Sequence, residues 1–236
     1  MSEARSAIFA RLRAGLARPP GSEAEAAAEV ARRLAEPRPG PIPARARVAG
    51  EERVAGEERV ALFTRMAESV GAEVRRLPEP SAIRPASLDV LRRHNLPARI
   101  VRAADPLLDA AGLEAEPLLE VRTGVPEEPD PVGLTVALAG IAETGTLLLA
   151  SASARPTLLA FLPETSIVVL PTAAVVGSYE EAWAGLRGRP GFPPRSVNLI
   201  TGPSRTGDIP PSIELGAHGP RRLFVLLVDS AALPGR

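Results

Sequence analysis

Residues 140–146, GIAETGT, bring a carboxylate, two hydroxyls and two glycines together directly before an apolar run. Glu143 has the chemistry of a general base or a nucleophile, and the hydroxyls of Thr144 and Thr146 can hydrogen-bond a ligand. Gly145 permits the left-handed backbone conformation of a tight turn. The alternative interpretation is an ordinary turn in which Glu143 is solvated and the two threonines cap the turn.

A second polar segment, residues 198–209, reads NLITGPSRTGDI. An apolar run here leads into a loop, and open α/β sheets bind ligands where strands end in this way. Backbone N–H groups near Gly202 and Ser204, together with the Arg205 guanidinium, would form an anion site. The alternative is a loop in which Arg205 pairs with Asp208.

The third polar segment, residues 214–222, contains one of the two histidines of the chain. His218 lies between glycine-containing turns ahead of the last apolar run, so it is a candidate acid/base or hydrogen-bond donor to a ligand. The alternative is a loop histidine that only hydrogen-bonds its surroundings. The other histidine, His94, ends an arginine-rich helix, and we interpret it as a solvated cation at the helix C-terminus.

Composition excludes several classes of site and protein. The chain has 236 residues, no cysteine and no lysine, and 28 basic residues balance 28 acidic ones. It therefore has no thiolate ligand for zinc or an iron–sulfur cluster, and no lysine for a Schiff base or a phosphate-binding loop. Neutral charge and 3% aromatic residues argue against nucleic-acid binding. No motif of two histidines or of alternating aspartates indicates a metal, so we expect none.

The N-terminal part of the chain predicts helices. Residues 2–18 have apolar residues at helical spacing, and a capping box at Ser22 begins a second helix that ends near Leu34. A proline-rich arm follows at residues 36–46. The hexapeptide VAGEER then occurs twice in residues 48–59, and we interpret the duplication as the exposed start of a helix ending near residue 70. The alternative is an interaction module.

The remainder of the chain alternates short apolar runs with helical patterns, which indicates an α/β protein with a mostly parallel, doubly wound sheet. We predict the division into residues 1–44, the helices and the arm, and residues 45–236, the α/β domain. The run at 132–139 is of strand or buried-helix type. Strands are predicted at 72–76, 98–101, 146–150, 166–170, 197–200 and 223–228, and helices at 87–94, 105–111, 156–162 and 179–186.

Signals for export and membrane insertion are missing from this sequence. The N-terminal residues are interrupted by arginines and lack the apolar region of a signal peptide. The longest apolar stretch, near residues 167–176, is far shorter than the roughly 20 residues of a membrane-spanning helix. We therefore expect a cytoplasmic protein without a membrane span.

Taken together and in this order, the segments GIAETGTLLL, SIVVLP and LITGPSRTGDIPPSIELGAHGPRRLFVLL resemble the LUD domain of the lactate-utilisation protein C family. The resemblance covers residues 45–230 and is best from Val132 onward. It implies a fold like that of the sugar-phosphate isomerase and CoA-transferase superfamily. It also implies a part in the oxidation of L-lactate to pyruvate beside iron–sulfur partner proteins. The VAGEER duplication and the proline-rich arm depart from the family pattern.

The resemblance implies that the polar segments line one pocket. Glu143 and His218 would be the catalytic residues. The ligand-binding residues would be Thr144, Gly145, Thr146, Thr201, Gly202, Ser204, Arg205, Thr206, Asp208, Glu214, Gly219 and Arg221.

Three functions remain open at this point. The first is a non-redox subunit that binds a small anion, with the iron–sulfur clusters on its partners. The second is a stand-alone transferase or isomerase acting on a CoA ester or a phosphorylated molecule, with Glu143 as nucleophile or base. The third is an assembly module with a vestigial pocket. Whether the chain forms a homodimer, and whether it binds a flavin or a nucleotide, stays open as well.

Overall fold

The computed structural model describes residues 3–16, 23–36, 40–41, 56–206, 214–216 and 218–229. The chain divides into two compact units, Met1–Pro41 and Ile42–Arg236. The boundary predicted after residue 44 stays a prediction.

The first unit contains the two predicted helices. Helix α1 spans Glu3–Gly15 and helix α2 spans Glu23–Ala35. Within α2, the carboxylate of Glu29 accepts hydrogen bonds from Arg32 and Arg33, which lie three and four residues further along the helix. The predicted capping residue Ser22 lies outside the described residues.

The second unit alternates strands and helices as predicted. Its helices are α3 (Gly56–Ser69), α4 (Ile83–Arg93), α5 (Pro106–Asp109) and α6 (Tyr179–Arg187). Its strands are β1 (Glu73–Leu77), β2 (Arg99–Arg102), β3 (Glu120–Thr123), β4 (Val132–Val136), β5 (Ala139–Ile141), β6 (Thr146–Ala150), β7 (Thr165–Pro171), β8 (Val175–Val176), β9 (Val197–Ile200), β10 (Arg205–Thr206), β11 (Glu214–Leu215) and β12 (Arg222–Val228).

Six of these strands form a fully parallel sheet in the order β1-β12-β7-β4-β2-β3. The central strand β7 has every residue buried. Its side chains alternate between two apolar clusters, since Ile167 and Val169 lie in one cluster while Val168 and Leu170 lie in the other. Both faces of the sheet are therefore covered, which explains the continuous apolar run and confirms the prediction of a mostly parallel sheet.

A second sheet corrects the prediction of a single sheet. Strands β8, β5, β6 and β9 form it in that order, and the pairs β5–β6 and β6–β9 are antiparallel. The run at 132–139 ends as β4 at Val136, and the chain enters the second sheet at Ala139. The predicted apolar runs at 146–150 and 166–170 both have five residues but belong to different sheets, so the sequence pattern alone did not separate the two sheets.

Several local predictions are confirmed. Helix α5 begins as predicted, because the Asp105 carboxylate accepts a hydrogen bond of 3.0 Å from the N–H of Leu107 and Pro106 occupies the first helical position. Helix α3 begins inside the second VAGEER copy, while the first copy lies outside the described residues. The predicted helix at 156–162 is a short 3-10 helix, Thr157–Ala160. The edge strand β3 was not predicted, because its residues are only partly buried.

Candidate functional site

The first polar segment forms the turn between the antiparallel strands β5 and β6. Gly145 has φ +66° in this turn, as its predicted left-handed conformation requires. A Cβ atom at Gly145 would also clash with the backbone nitrogen of Ala67 in helix α3. The glycine is therefore needed both for the turn and for the close approach of α3 to the second sheet.

Glu143 is buried in this turn, with only 3% of its surface exposed. Its Oε1 accepts a hydrogen bond of 3.1 Å from the N–H of Tyr179, and its own N–H donates to the carbonyl of Gly177. Tyr179 is the first residue of α6, so the carboxylate lies at the positive end of that helix. Its Oε2 has no hydrogen-bond partner among the described residues. The interpretation of Glu143 as a solvated turn residue is therefore wrong.

Four hydroxyls meet beside this carboxylate, and we call Thr144, Thr146, Tyr179 and Thr201 the hydroxyl cluster. Thr146 Oγ1 lies 2.7 Å from Thr144 Oγ1, 3.0 Å from the Tyr179 hydroxyl and 2.7 Å from Thr201 Oγ1. Thr144 Oγ1 also donates to the Tyr179 hydroxyl at 3.1 Å. The cluster thus joins the first and second polar segments. Tyr179 is not among the site residues predicted from the sequence.

The second and third polar segments enclose an open cleft of about 570 Å³, which we call the Arg205 cleft. Thr201, Arg205 and His218 are exposed where they line it. Ser69 at the end of α3, the next residue Val70, and Phe161 also line the cleft. Of the predicted site residues, the cleft brings together the catalytic candidate His218 and the ligand-binding candidates Thr201, Gly202, Ser204, Arg205 and Gly219.

Backbone contacts hold the cleft in shape. Gly202 has φ +76°, and a Cβ atom there would lie 2.6 Å from the carbonyl oxygen of Val70. Gly71 has φ +92°, and a Cβ atom there would clash with the guanidinium of Arg205. The N–H of Ser204 donates to the carbonyl of Pro220 at 2.9 Å. That N–H is therefore already bonded, so an anion in the cleft would depend on the Arg205 side chain and not on this amide.

Other predicted site residues lie apart from the cleft. Glu143 does not line it, and Arg221 pairs with Glu164 at 3.5 Å. The backbones of Thr206 and Glu214 are paired across the hairpin of β10 and β11, but their side chains lie outside the described part of the structure. Asp208 also lies outside it, so the alternative of an Arg205–Asp208 pair stays open.

The described residues bring no three carboxylate or imidazole side chains together in a way that could hold a metal ion. None of the described helices has the length and apolar character that crossing a membrane would need.

Part of the chain is similar to proteins of a known family. The family model of the LUD domain matches residues 131–228. Lactate utilization protein C of Geobacillus kaustophilus is 33% identical over 100 residues, which cover 41% of this chain and 42% of that protein. Lactate utilization protein C of Macrococcus caseolyticus is 32% identical over 102 residues, which cover 42% of this chain and 44% of that protein.

An uncharacterized protein of Neisseria meningitidis is 36% identical over 96 residues, covering 41% of each chain. The match thus spans less than half the length of these relatives. A crystal structure of a DUF162 family protein from Deinococcus radiodurans superposes with a TM-score of 0.55 at 20% identity, over 75% of this chain and 99% of that one. The matched residues 131–228 contain the first polar segment and most residues that line the Arg205 cleft, so this part of the chain is similar to the LUD domain, in agreement with the motifs.

Proposed function

We propose that this chain takes part in lactate utilisation and binds a small carboxylate in the Arg205 cleft. The observation that carries the proposal is the exposed Arg205 guanidinium facing the same cleft as His218. The names of the relatives from Geobacillus and Macrococcus supply the metabolic context.

Arg205 is suited to hold the carboxylate. Among the described residues no carboxylate pairs with it, whereas the neighbouring cations Arg221 and Arg222 both pair with Glu164. A guanidinium can donate two parallel hydrogen bonds to one carboxylate, which gives both affinity and orientation. The contact of this guanidinium with Gly71 positions it at the end of α3. A small anion entering the cleft would therefore meet an oriented positive charge.

His218 lies on the opposite segment of the same cleft. Its imidazole is exposed, so it can hydrogen-bond a ligand or exchange a proton with it. Electron transfer through a cysteine-ligated cluster would fall to other proteins, because the chain has no cysteine. We propose iron–sulfur proteins as those partners.

A stand-alone transferase with Glu143 as nucleophile receives less support. A nucleophile must reach its substrate, and Glu143 is 3% exposed and bonded to the N-terminus of α6. The geometry therefore favours a positioning part for this carboxylate. The CoA-ester alternative is retained as one outcome of the test.

Isothermal titration calorimetry of the full chain with L-lactate, inorganic phosphate and CoA tests the proposal. We expect L-lactate to bind and Arg205→Ala to weaken binding by about tenfold or more, the typical loss for a hydrogen-bonded charge. Arg195→Ala is the matched control, because Arg195 is exposed and does not line the cleft. Equal affinities of the two variants, or binding of CoA alone, would overturn the proposal.

A further inference from the structure

The hydroxyl cluster contains as many protons as hydrogen bonds. Four hydroxyls, those of Thr144, Thr146, Tyr179 and Thr201, make four bonds among themselves at 2.7–3.1 Å. Each hydroxyl has a single proton to donate and can accept up to two hydrogen bonds. Thr201 must therefore be the donor in its only bond of the cluster, and the three bonds among Thr144, Thr146 and Tyr179 are all fixed once the direction of one of these three is known.

One direction is set by geometry, because Thr144 is the donor in its bond to the Tyr179 hydroxyl. Its only proton is then used, so in the bond between Thr144 and Thr146 the donor must be Thr146. The proton of Thr146 is now used as well. Thr146 must therefore accept from both Tyr179 and Thr201.

The result is a closed ring with one branch. Thr144 donates to Tyr179, Tyr179 donates to Thr146, and Thr146 donates to Thr144. Thr201 donates into this ring at Thr146, which has no exposed surface. All four protons lie inside the cluster. Water cannot reach the hydroxyl of Thr146, so it cannot compete for the bond between Thr201 and Thr146.

We infer that Thr201 presents only oxygen lone pairs to the Arg205 cleft and thereby selects ligands that carry a hydrogen-bond donor. Thr201 is exposed in the cleft wall, and its proton already points away from the cleft to Thr146. A ligand hydroxyl can donate to Thr201, whereas a ligand carbonyl would place one acceptor against another and leave both unpaired. Thr201 is in this way a specificity-determining residue.

This inference rests on the proposed function, in which Arg205 holds the carboxylate of the ligand. With the carboxylate at Arg205 and an acceptor at Thr201, the cleft fits a hydroxycarboxylate better than the corresponding ketocarboxylate. L-lactate and pyruvate are such a pair, since they differ only in a hydroxyl that donates and a carbonyl that accepts. Propionate, which has neither group, reports the contribution of the carboxylate alone.

Calorimetric titration of the full chain with these three carboxylates tests the inference. We expect L-lactate to bind about three- to tenfold more tightly than propionate, the value of one hydrogen bond, and pyruvate no more tightly than propionate. Thr201→Val should reduce the affinity for L-lactate to that for propionate. Thr123→Val, at an exposed threonine at the end of β3, is the control and should change none of the three affinities.

A variant away from the ligand tests the proton directions themselves. Tyr179→Phe opens the ring, so Thr144 can donate to Thr146 and Thr146 can donate to Thr201. The proton of Thr201 is then free for the ligand, and pyruvate should gain affinity while the preference for L-lactate disappears. Thr144→Val also opens the ring, because it removes another of the three hydroxyls that form it. This variant replaces Tyr179→Phe in the experiment if Tyr179→Phe does not fold.

The outcomes separate the two proposals. If none of the three carboxylates binds, the carboxylate site at Arg205 is wrong and the inference fails with it. If all three bind but pyruvate equals or exceeds L-lactate, the carboxylate site stands and the acceptor assignment of Thr201 is overturned. An unchanged preference in both ring-opening variants would likewise overturn the assignment.

Discussion

The carboxylate of Glu143 accepts a hydrogen bond from the N–H of Tyr179, a residue 36 positions further along the chain. This bond attaches the turn between β5 and β6 to the first residue of α6. The side chain of the same Tyr179 enters the hydroxyl cluster. One residue therefore positions both a buried charge and the hydroxyls that lead to the cleft.

We expect Glu143→Gln to lower the free energy of unfolding by about 1–2 kcal/mol, because the variant loses the charge at the helix N-terminus and buries an amide N–H₂ without a partner. Urea unfolding at neutral pH measures the change. Glu120→Gln, at an exposed position of the edge strand β3 and without a described side-chain hydrogen bond, should change little. Unchanged stability together with lost ligand binding would contradict a positioning part for Glu143.

We expect Gly145→Ala to be strongly destabilising, by more than about 2 kcal/mol, since it combines left-handed backbone strain with a clash against helix α3. Gly185→Ala is the control. Gly185 lies within α6 and has open space around it, so alanine there should stabilise the protein by about 0.5–1 kcal/mol. Thermal unfolding of both variants measures the two changes in stability. Similar melting temperatures would show that α3 does not approach the turn closely.

We expect Gly71→Ala to weaken carboxylate binding, because a Cβ atom at this position would displace the Arg205 guanidinium. Gly191→Ala provides a matched control. Gly191 also has a positive φ, +81°, but nothing lies near its missing side chain. Both variants should lose about 1–2 kcal/mol of stability to backbone strain, and only Gly71→Ala should lose affinity for L-lactate. Equal affinities would argue against the positioning of Arg205 by Gly71.

The ion pair of Asp89 with Arg75, at 2.7 Å, gives a pH dependence of stability. The Arg75 hydrogen bond, aided by the charges of Arg75, Arg93 and Arg92, lowers the pKa of Asp89, against a smaller opposing effect of burial. A carboxyl whose pKa is lower in the folded protein than in the unfolded chain stabilises the fold at pH values above its pKa in the unfolded chain, about 4. This contribution is lost as the pH falls through the pKa of the folded protein.

We therefore expect Asp89→Asn to be less stable than the parent chain at pH 7, with the difference shrinking as the pH falls below about 4. The effect should be modest, because both side chains are about one-third exposed. Urea unfolding at a series of pH values measures it. The exposed Glu68, changed to Gln, is the control. A difference that stays constant down to the lowest pH would contradict the ion-pair explanation.

The parallel sheet could be predicted from the sequence because each of its strands is marked by neighbouring residues. The apolar run at Ser166–Leu170 is typical of a strand buried on both faces, and β7 has those properties. The Asp105–Pro106 pair likewise marked the start of a helix from neighbouring residues alone. Helices and strands that are determined by residues close together in the sequence could therefore be predicted from the sequence.

The second sheet and the hydroxyl cluster depend on contacts between distant parts of the chain. Thr146 and Thr201 are 55 residues apart, and the sequence does not reveal that their hydroxyls meet. Burial of Glu143 was missed for the same reason, because its partner at the start of α6 is remote in sequence. The polar types of these residues were visible, but their mutual placement was not.

Tyr179 is the only tyrosine of the chain, and the only tryptophan, Trp183, lies one turn further along α6. The ultraviolet absorption of tyrosine in this protein therefore originates entirely from the hydroxyl cluster. Excitation energy absorbed by that phenol can pass over a short distance to the indole of the same helix. The chain thus contains its own optical probe, which observes the hydrogen bonding behind the cleft without an added label.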